Sequence, residues 1–310
     1  MRLLRALGCG LGLLAATSAS AQGTHVLIIT GLGGEPQYRA AFQAEAALLA
    51  DSARAKWHVA DSSLIVLGED VALDRAHIQA TSTRENVASA FLRLSKRVQP
   101  GDLLLVFLNG HGGGEGAASR VNLPGPDPTA ADFATWLSGF SKQSIVFVNA
   151  ASGSGDFLPV LAKPGRVIVT ATKTAFEHNE TIFAQPFVRG LVGGDADADK
   201  DGRISVLEAF DYAKKEVARR YDSDRKMQTE HAQLSDSALA RSISFGGQAT
   251  SVDPRVIALS SERRQLELAV AALRARKAST DSTAYANELE RLLIAIAEKS
   301  QAIRAAGGKP

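Results

Sequence analysis

The sequence predicts an α/β protein in which a mostly parallel sheet lies between two layers of helices, followed by a C-terminal helical hairpin. Short apolar runs alternate with helix-patterned stretches from residue 24 to about residue 220. The apolar runs contain almost no polar residues, which is typical of strands that helices cover on both faces. With 45% hydrophobic residues, a chain of this length can also bury a substantial core.

The predicted elements follow one another in the order that such a fold requires. The first strand is predicted at residues 25–30 and is followed by a helical pattern over residues 40–50. A second strand, at residues 64–67, precedes a helix over residues 85–98 whose apolar residues recur on one face. The later predictions are strands at 103–108, 145–148 and 166–171, and helices at 133–140, 181–191 and 206–221.

Residues 254–304 have the pattern of two amphipathic helices separated by a polar stretch at residues 279–282. We interpret residues 246–310 as a helical hairpin. It either packs on the main domain or forms a coiled coil that binds a partner or a second copy of the chain. The residues predicted to form the inner faces are Val256, Leu259, Leu266, Val270 and Leu273 in the first helix, and Leu289, Leu292, Leu293, Ile296 and Ile303 in the second.

Residues 1–21 have the pattern of a secretory signal, with a basic start, a short apolar run and small residues before the cleavage point. The apolar run has about 10 residues, whereas a membrane anchor needs about 20. We therefore expect a secreted or periplasmic protein with no membrane span once the signal is removed.

Charge and cysteine content exclude several classes of function. Without residues 1–21, basic and acidic residues are equal at 33 each, so nothing favours nucleic acid or an anionic membrane as a partner. The single cysteine, Cys9, lies in the predicted signal. The mature chain would then have no disulfide, no thiolate zinc site and no thiolate nucleophile.

Two polar turns follow the third and fourth predicted strands, and they can approach each other if those strands are neighbours. His111 lies in a Leu-Asn-Gly-His-Gly block after the third strand, and Ala150 lies in an Asn-Ala-Ala-Ser-Gly block after the fourth. In open parallel sheets, ligands bind at the carboxyl ends of the strands. A thiolate that attacks a carbonyl needs a nearby imidazole and backbone N–H groups that face the oxyanion, and residues 112–114 are glycines that could donate them.

In this order, the blocks resemble the legumain-like branch of the caspase-fold cysteine peptidases, over about residues 24–240. The resemblance implies a caspase-like three-layer α/β/α domain, which we assign to residues 22–245. It also implies that His111 occupies the position of the catalytic histidine and Ala150 that of the nucleophile, or Ala151 with a one-residue shift. Arg39 matches an arginine of the specificity pocket, which implies an acidic or amide-bearing ligand side chain.

Because alanine offers no nucleophile, we expect a pseudo-peptidase that binds a protein or peptide through its cleft or through the hairpin. The alternative is an active hydrolase in which Ser152 or Ser154 has replaced the thiol and His111 is the base. A serine hydroxyl needs closer alignment with its base than a thiol, since far less of it is ionised.

Residues 197–208 match the twelve-residue EF-hand loop, which predicts a Ca²⁺ site. The alternative is an acidic surface turn that caps the next helix. A single loop in an exported protein favours a structural role for the metal over a sensing role. The predicted ligands are Asp197, Asp199 and Asp201 at positions 1, 3 and 5, the carbonyl of Arg203 at 7, Ser205 at 9 and Glu208 at 12, with Gly202 at the turn.

Overall fold

The computed structural model describes residues 22–246, 254–279 and 281–307. Within them, a seven-stranded sheet lies between two layers of helices, and two long helices follow at the C-terminus. The architecture predicted from the sequence is therefore confirmed. The predicted signal at residues 1–21 lies outside the described residues. No helix in the described part of the chain has the length and apolar character needed to cross a bilayer.

The central sheet has the strand order β3-β2-β1-β4-β7-β8-β9 and is parallel except between β8 and β9. A separate hairpin pairs β5 with β6. The strands are β1 (Thr24–Thr30), β2 (Leu64–Gly68), β3 (Ala80–Thr81), β4 (Leu103–Asn109), β5 (Gly112–Gly113), β6 (Arg120–Val121), β7 (Ser144–Asn149), β8 (Arg166–Thr170) and β9 (Gln233–Leu234). Because β4 and β7 are adjacent, their carboxyl ends place the two polar turns side by side.

Successive residues of the central strands enter opposite cores. Val26 and Ile28 pack in the core under α1, α5 and α6, whereas Leu27 and Ile29 pack in the core under α2, α3 and α4. The helices are α1 (Pro36–Ala55), α2 (Arg84–Ser95), α3 (Ala130–Leu137), α4 (Phe157–Leu161), α5 (Ala184–Val192), α6 (Val206–Ser223), α7 (Ser237–Ser242), α8 (Pro254–Ala275) and α9 (Ser282–Ala305). Both faces of the sheet are therefore covered, as the apolar runs indicated.

Local sequence determines where several helices begin. The Thr129 side chain accepts a hydrogen bond from the backbone N–H of Asp132, whose carboxylate accepts one in return from the N–H of Thr129, at the start of α3. Ser205 and Glu208 make the same reciprocal pair at the start of α6. Such capping boxes satisfy N–H groups that the first helical turn leaves unpaired.

The C-terminal hairpin packs on the main domain and on itself. Ala271 of α8 is part of the core under α1, α5 and α6. Val270, Leu273 and Leu292 form a separate cluster between α8 and α9. Leu293, which the pattern assigned to the inner face, is 46% exposed, so that assignment is wrong. The assignment of the adjacent Leu292 to that face is confirmed, since it is buried; consecutive residues of a helix lie about 100° apart, so the two side chains point in different directions.

Candidate functional site: the histidine turn and the acidic loop

His111, two residues after the end of β4, has an oxygen atom close to each ring nitrogen. Its Nδ1 lies 2.9 Å from Oε2 of Glu180, and its Nε2 lies 3.2 Å from the carbonyl oxygen of Gly33. Carboxylate and carbonyl oxygens are both hydrogen-bond acceptors, so this position suits the doubly protonated imidazolium, in which both ring nitrogens are donors. The interaction with Glu180 raises the pKa of His111 despite the cost of partial burial. Tyr38 and Phe42 pack edge-on against the ring, each with centroids 5.4 Å away.

Two further glutamates lie in the electrostatic field of Glu180. Asn109 donates to Oε2 of Glu45, and burial raises the pKa of Glu45 to about 7. Glu230 accepts hydrogen bonds from the backbone N–H groups of Ile182 and Phe183, yet burial raises its pKa to about 7 as well. The negative charge of Glu180 contributes to both increases. We call Glu45, Glu180 and Glu230 the glutamate cluster, and Glu180 is its member that lies against His111.

Ala150 and Ala151 are fully buried in opposite cores. The N–H of Ala150 donates to the carbonyl of Leu108, and its carbonyl accepts from Oγ1 of Thr181 at 2.7 Å. The N–H of Ala151 donates to Oδ1 of Asn149. A side chain at either position therefore points into hydrophobic packing.

Ser152 and Ser154 are buried, and both hydroxyls accept hydrogen bonds from backbone N–H groups. Oγ of Ser152 lies 3.3 Å from the N–H of Gly112, and Oγ of Ser154 accepts from Ala171 and Thr172 at 3.1 and 3.2 Å. In the described part of the chain, neither hydroxyl makes a hydrogen bond to His111. The structure brings the two turns together, but it does not form a serine–histidine pair.

The glycines after His111 form β5 and are held by pairing with β6. A Cβ on Gly112 would lie 2.6 Å from the carbonyl oxygen of Arg120, so this close approach needs glycine. The N–H of Gly112, predicted as a donor to an oxyanion, instead faces Oγ of Ser152.

Arg39, the predicted pocket residue, is paired within the chain. Its Nε and a terminal nitrogen lie 2.8 and 2.9 Å from the two carboxylate oxygens of Glu69. Glu69 also accepts from the N–H of Gly33, and the pairing with Arg39 lowers its pKa. Since the N–H of Gly33 faces Glu69 and its carbonyl faces His111, this one residue connects the Arg39–Glu69 pair to His111.

In the acidic loop between α5 and α6, one oxygen each from Asp197, Asp199 and Glu208 lie within 4.8 Å of one another. Gly202 has φ +83°, the left-handed conformation that the loop requires at its sixth position. Burial and the negative charges of Asp199 and Asp197 raise the pKa of Asp201. Carboxylate oxygens at such spacing suit a hard cation such as Ca²⁺, so the residues present fit the predicted metal.

Backbone hydrogen bonds hold these carboxylates in place. Asp197 accepts from the N–H groups of Asp201 and Gly202, and Asp201 accepts from that of Arg203 at 2.7 Å. Burial alone would raise the pKa of Glu208, but its hydrogen bonds from Ser205 and two loop N–H groups lower it instead. Glu208 is therefore favoured as the anion that a metal needs.

The end of the acidic loop pairs with a segment of the same chain. Ser205 and Ser244 form an antiparallel bridge, and the N–H of Val206 donates to the carbonyl of Ile243. Residues 243–244 lie between α7 and the C-terminal hairpin. The loop is therefore braced by the segment that leads toward α8.

Sequence reasoning missed Glu45, Glu69, Glu180 and Glu230. One signal was available for Glu45, which lies three residues after Phe42 and four before Leu49 on the buried face of α1. A carboxylate on such a face needs a partner. Glu180 and Glu230 lie in irregular segments, where no periodicity indicates the direction of a side chain.

No protein-family model matches the chain, and a search of curated proteins found no relative. Among solved structures, the chain is similar to caspase-1 from Spodoptera frugiperda, with a TM-score of 0.42 and 12% sequence identity. The alignment covers 69% of this chain and 86% of that chain.

Proposed function

We propose that the protein is an exported, calcium-stabilised binding protein that resembles a legumain-like peptidase but does not cleave peptides. The observation that carries this proposal is the position of His111 between the carbonyl of Gly33 and the carboxylate of Glu180. A general base must offer a free nitrogen lone pair to the proton that it removes. Both ring nitrogens face acceptors here, and the imidazolium form has no lone pair to offer.

The nucleophile positions support the same proposal. Ala150 and Ala151 have methyl groups in the two cores, and the hydroxyls of Ser152 and Ser154 are engaged by backbone N–H groups. An active hydrolase that uses Ser152 or Ser154 with His111 is the alternative function. It would require one of these hydroxyls to leave its donors and turn toward the imidazole.

A fluorophosphonate probe tests this proposal directly, because it labels serines that a neighbouring base activates. We expect no labelling of the wild-type protein, with or without calcium, and no turnover of a fluorogenic peptide library. Labelling of Ser152 or Ser154 that disappears in the His111→Ala variant would contradict the proposal. Labelling that persists in His111→Ala would indicate non-specific reactivity and is the control.

The convergence of Asp197, Asp199 and Glu208 supports the proposed calcium site. The bridge from Ser205 to Ser244 supports a structural role, since metal binding would fasten α6 to the segment that precedes the hairpin. A ligand that binds only the folded state raises the midpoint of thermal unfolding by mass action. We expect the midpoint to rise in millimolar CaCl₂, and an unchanged midpoint would contradict this part of the proposal.

The partner would be a protein or peptide, bound either at the histidine turn or on the hairpin. At the histidine turn, a ligand carboxylate would compete with Glu69 for the guanidinium of Arg39. On the hairpin, Leu293 and Ile294 are exposed and offer an apolar surface for a partner or for a second copy of the chain. Arg39→Gln and Leu293→Glu separate these sites, since each should weaken binding at its own surface only.

A further inference from the structure

We propose that a cavity between the acidic loop and the C-terminal hairpin is a calcium-dependent binding site for a carboxylate that has a small apolar body. The cavity has a volume of about 220 Å³, and its walls come from the acidic loop, α7, α8 and α9. The lining residues that carry the argument are Arg203, Arg241, Arg263, Arg274, Val270 and Ile296. The inference rests on the proposed calcium site.

The cationic wall has unused hydrogen-bonding capacity. Arg263 pairs with Glu267 at 2.8 Å. By contrast, Nε of Arg203 is buried and lacks a hydrogen-bond partner in the part of the chain that the structure describes. The side chains of Arg241 and Arg274 also make no hydrogen bond or ion pair to any described residue. A buried N–H group without an acceptor is costly, so Nε of Arg203 is suited to an incoming acceptor, and the exposed Arg241 and Arg274 can add further N–H donors.

The shape of a guanidinium indicates the chemical class of that acceptor. Its N–H groups form a planar fork that matches the two oxygens of a carboxylate. The apolar part of the lining includes Val270, Ala271 and Ile296, which would contact an apolar side chain. The leucine side chain with its α-carboxylate, either free or at the end of a peptide, combines both features.

The charges around the cavity make calcium a requirement. Four arginines and four carboxylates line the cavity, so their formal charges cancel. The carboxylates are those of Asp199, Asp201, Glu208 and Glu267. A Ca²⁺ ion in the acidic loop would leave two positive charges in excess beside the arginines. A carboxylate ligand is therefore favoured only when the loop is loaded. By linkage, the ligand must raise the affinity for calcium by the same factor.

Isothermal titration of the full chain tests this inference, with N-acetyl-L-leucine as the probe. N-acetyl-L-leucinamide is the matched control, because it keeps the apolar body and removes the charge. Each compound is titrated in CaCl₂ and in buffer depleted of calcium by a chelating resin, since a soluble chelator would add carboxylates. We expect binding of the acid to be at least about tenfold tighter with calcium, and calcium binding to tighten equally in the presence of the acid.

Variants assign the binding to this cavity. Arg274→Gln should weaken binding of the acid at least about tenfold, as expected for the loss of a charge-assisted hydrogen bond. Arg304→Gln removes the same charge from the exposed surface of α9 and should leave the affinity within about twofold. Circular dichroism and the thermal midpoint verify that both variants are folded. A pentapeptide that ends in leucine, with a free or an amidated terminus, distinguishes a peptide end from a free acid.

The outcomes separate this inference from the proposed function. If calcium binds but the acid does not, or if the acid binds equally without calcium, this inference is wrong and the calcium site stands. Equal binding by Arg274→Gln and wild type would also overturn it. If calcium itself does not bind, this inference and the calcium part of the proposed function are both wrong.

Discussion

Nδ1 of His111 and Oε2 of Glu180 lie 2.9 Å apart, and they join the turn after β4 to the segment that precedes α5. The sequence pattern identified His111 as a candidate site residue, but it did not identify Glu180 as its partner. Because Glu180 also acts on Glu45 and Glu230, the state of this pair influences every titratable group of the glutamate cluster.

Glu180→Gln should lower the pKa of His111, because the carboxylate that favours the imidazolium is lost. A raised histidine pKa stabilises the fold fully below the unfolded-state value of about 6.5 and loses this effect as the pH rises through the folded-state pKa. The free energy of unfolding lost in Glu180→Gln should therefore be largest below pH 6.5, at about 1 kcal/mol. This loss should become smaller as the pH rises above the raised pKa of His111. NMR titration of the ring and urea unfolding at several pH values measure the two effects.

The control for that experiment is Glu177→Gln. Glu177 pairs with Nδ1 of His231 at 2.7 Å, so the same substitution is made in a neighbouring segment at a different histidine. It should leave the pKa of His111 unchanged. An equal decrease in both variants would mean that the pair with Glu180 does not set the protonation of His111.

Glu45→Gln should make the protein more stable at pH 8. Burial raises the pKa of Glu45 from 4.5 to about 7, so between these values the folded chain keeps a proton that the unfolded chain releases. The free energy of unfolding of the wild type therefore falls as the pH rises from 4.5 to 7. Above that range the buried carboxyl is ionised in the folded state, and the decrease is complete. The side-chain carbonyl of glutamine still accepts a hydrogen bond from Asn109, and the substitution removes the cost of ionising a buried carboxyl, which is on the order of 3 kcal/mol at pH 8.

Urea unfolding at pH 4.5 and pH 8 measures this effect. The gain from Glu45→Gln should be small at pH 4.5, where the wild-type carboxyl is already neutral in the folded state. Glu290→Gln, on the exposed surface of α9, should change stability at neither pH by more than about 0.5 kcal/mol. A gain that is equal at both pH values would show that packing, not titration, is the cause.

Asp197→Asn should abolish the rise in the thermal midpoint that we expect calcium to cause. The amide keeps an acceptor for the N–H groups of Asp201 and Gly202, so the loop should stay folded without the metal. The loss of one charged ligand from the set of Asp197, Asp199 and Glu208 should weaken calcium binding by at least about tenfold. Asp195→Asn, an exposed position just before the loop, should respond to calcium like the wild type.

Ala150→Cys should not create a reactive thiol, because the side chain at this position lies in the core. In a chain whose Cys9 is replaced by serine, we expect the thiol of Ala150→Cys to react with Ellman's reagent only when the fold opens. Its reaction should be at least about 100-fold slower than that of Ala131→Cys, which lies on the exposed side of α3. Fast reaction, or peptide turnover that depends on His111, would mean that this position opens on a working cleft.

The layered fold could be predicted because its determinants are local and periodic. The strands at β1, β4 and β7 are apolar runs, and α2 shows its buried face in Val87, Phe91 and Leu94. The two-residue strands β3 and β9 could not be predicted, since they have too few residues to show a period. They exist because the ends of neighbouring strands hold them in register.

The candidate site was predictable only where residue type and spacing alone identify the chemistry. The acidic loop meets that condition, since its ligands lie within twelve consecutive positions. The contacts of His111 do not, because Gly33 and Glu180 lie far from it in the sequence and meet it only after folding. Whether Ser152 faces His111 or Gly112 likewise depends on a rotamer, which no sequence pattern encodes.

Both outer strands of the central sheet, β3 and β9, have only two residues. An unrelated strand that docked alongside either margin would gain few main-chain hydrogen bonds, so the sheet offers almost no template for growth. Such short edge strands protect the protein from fibrillar aggregation when its concentration is high or when no chaperone is present. In the described part of the chain, helical surfaces are therefore better suited to self-association than the edges of the sheet.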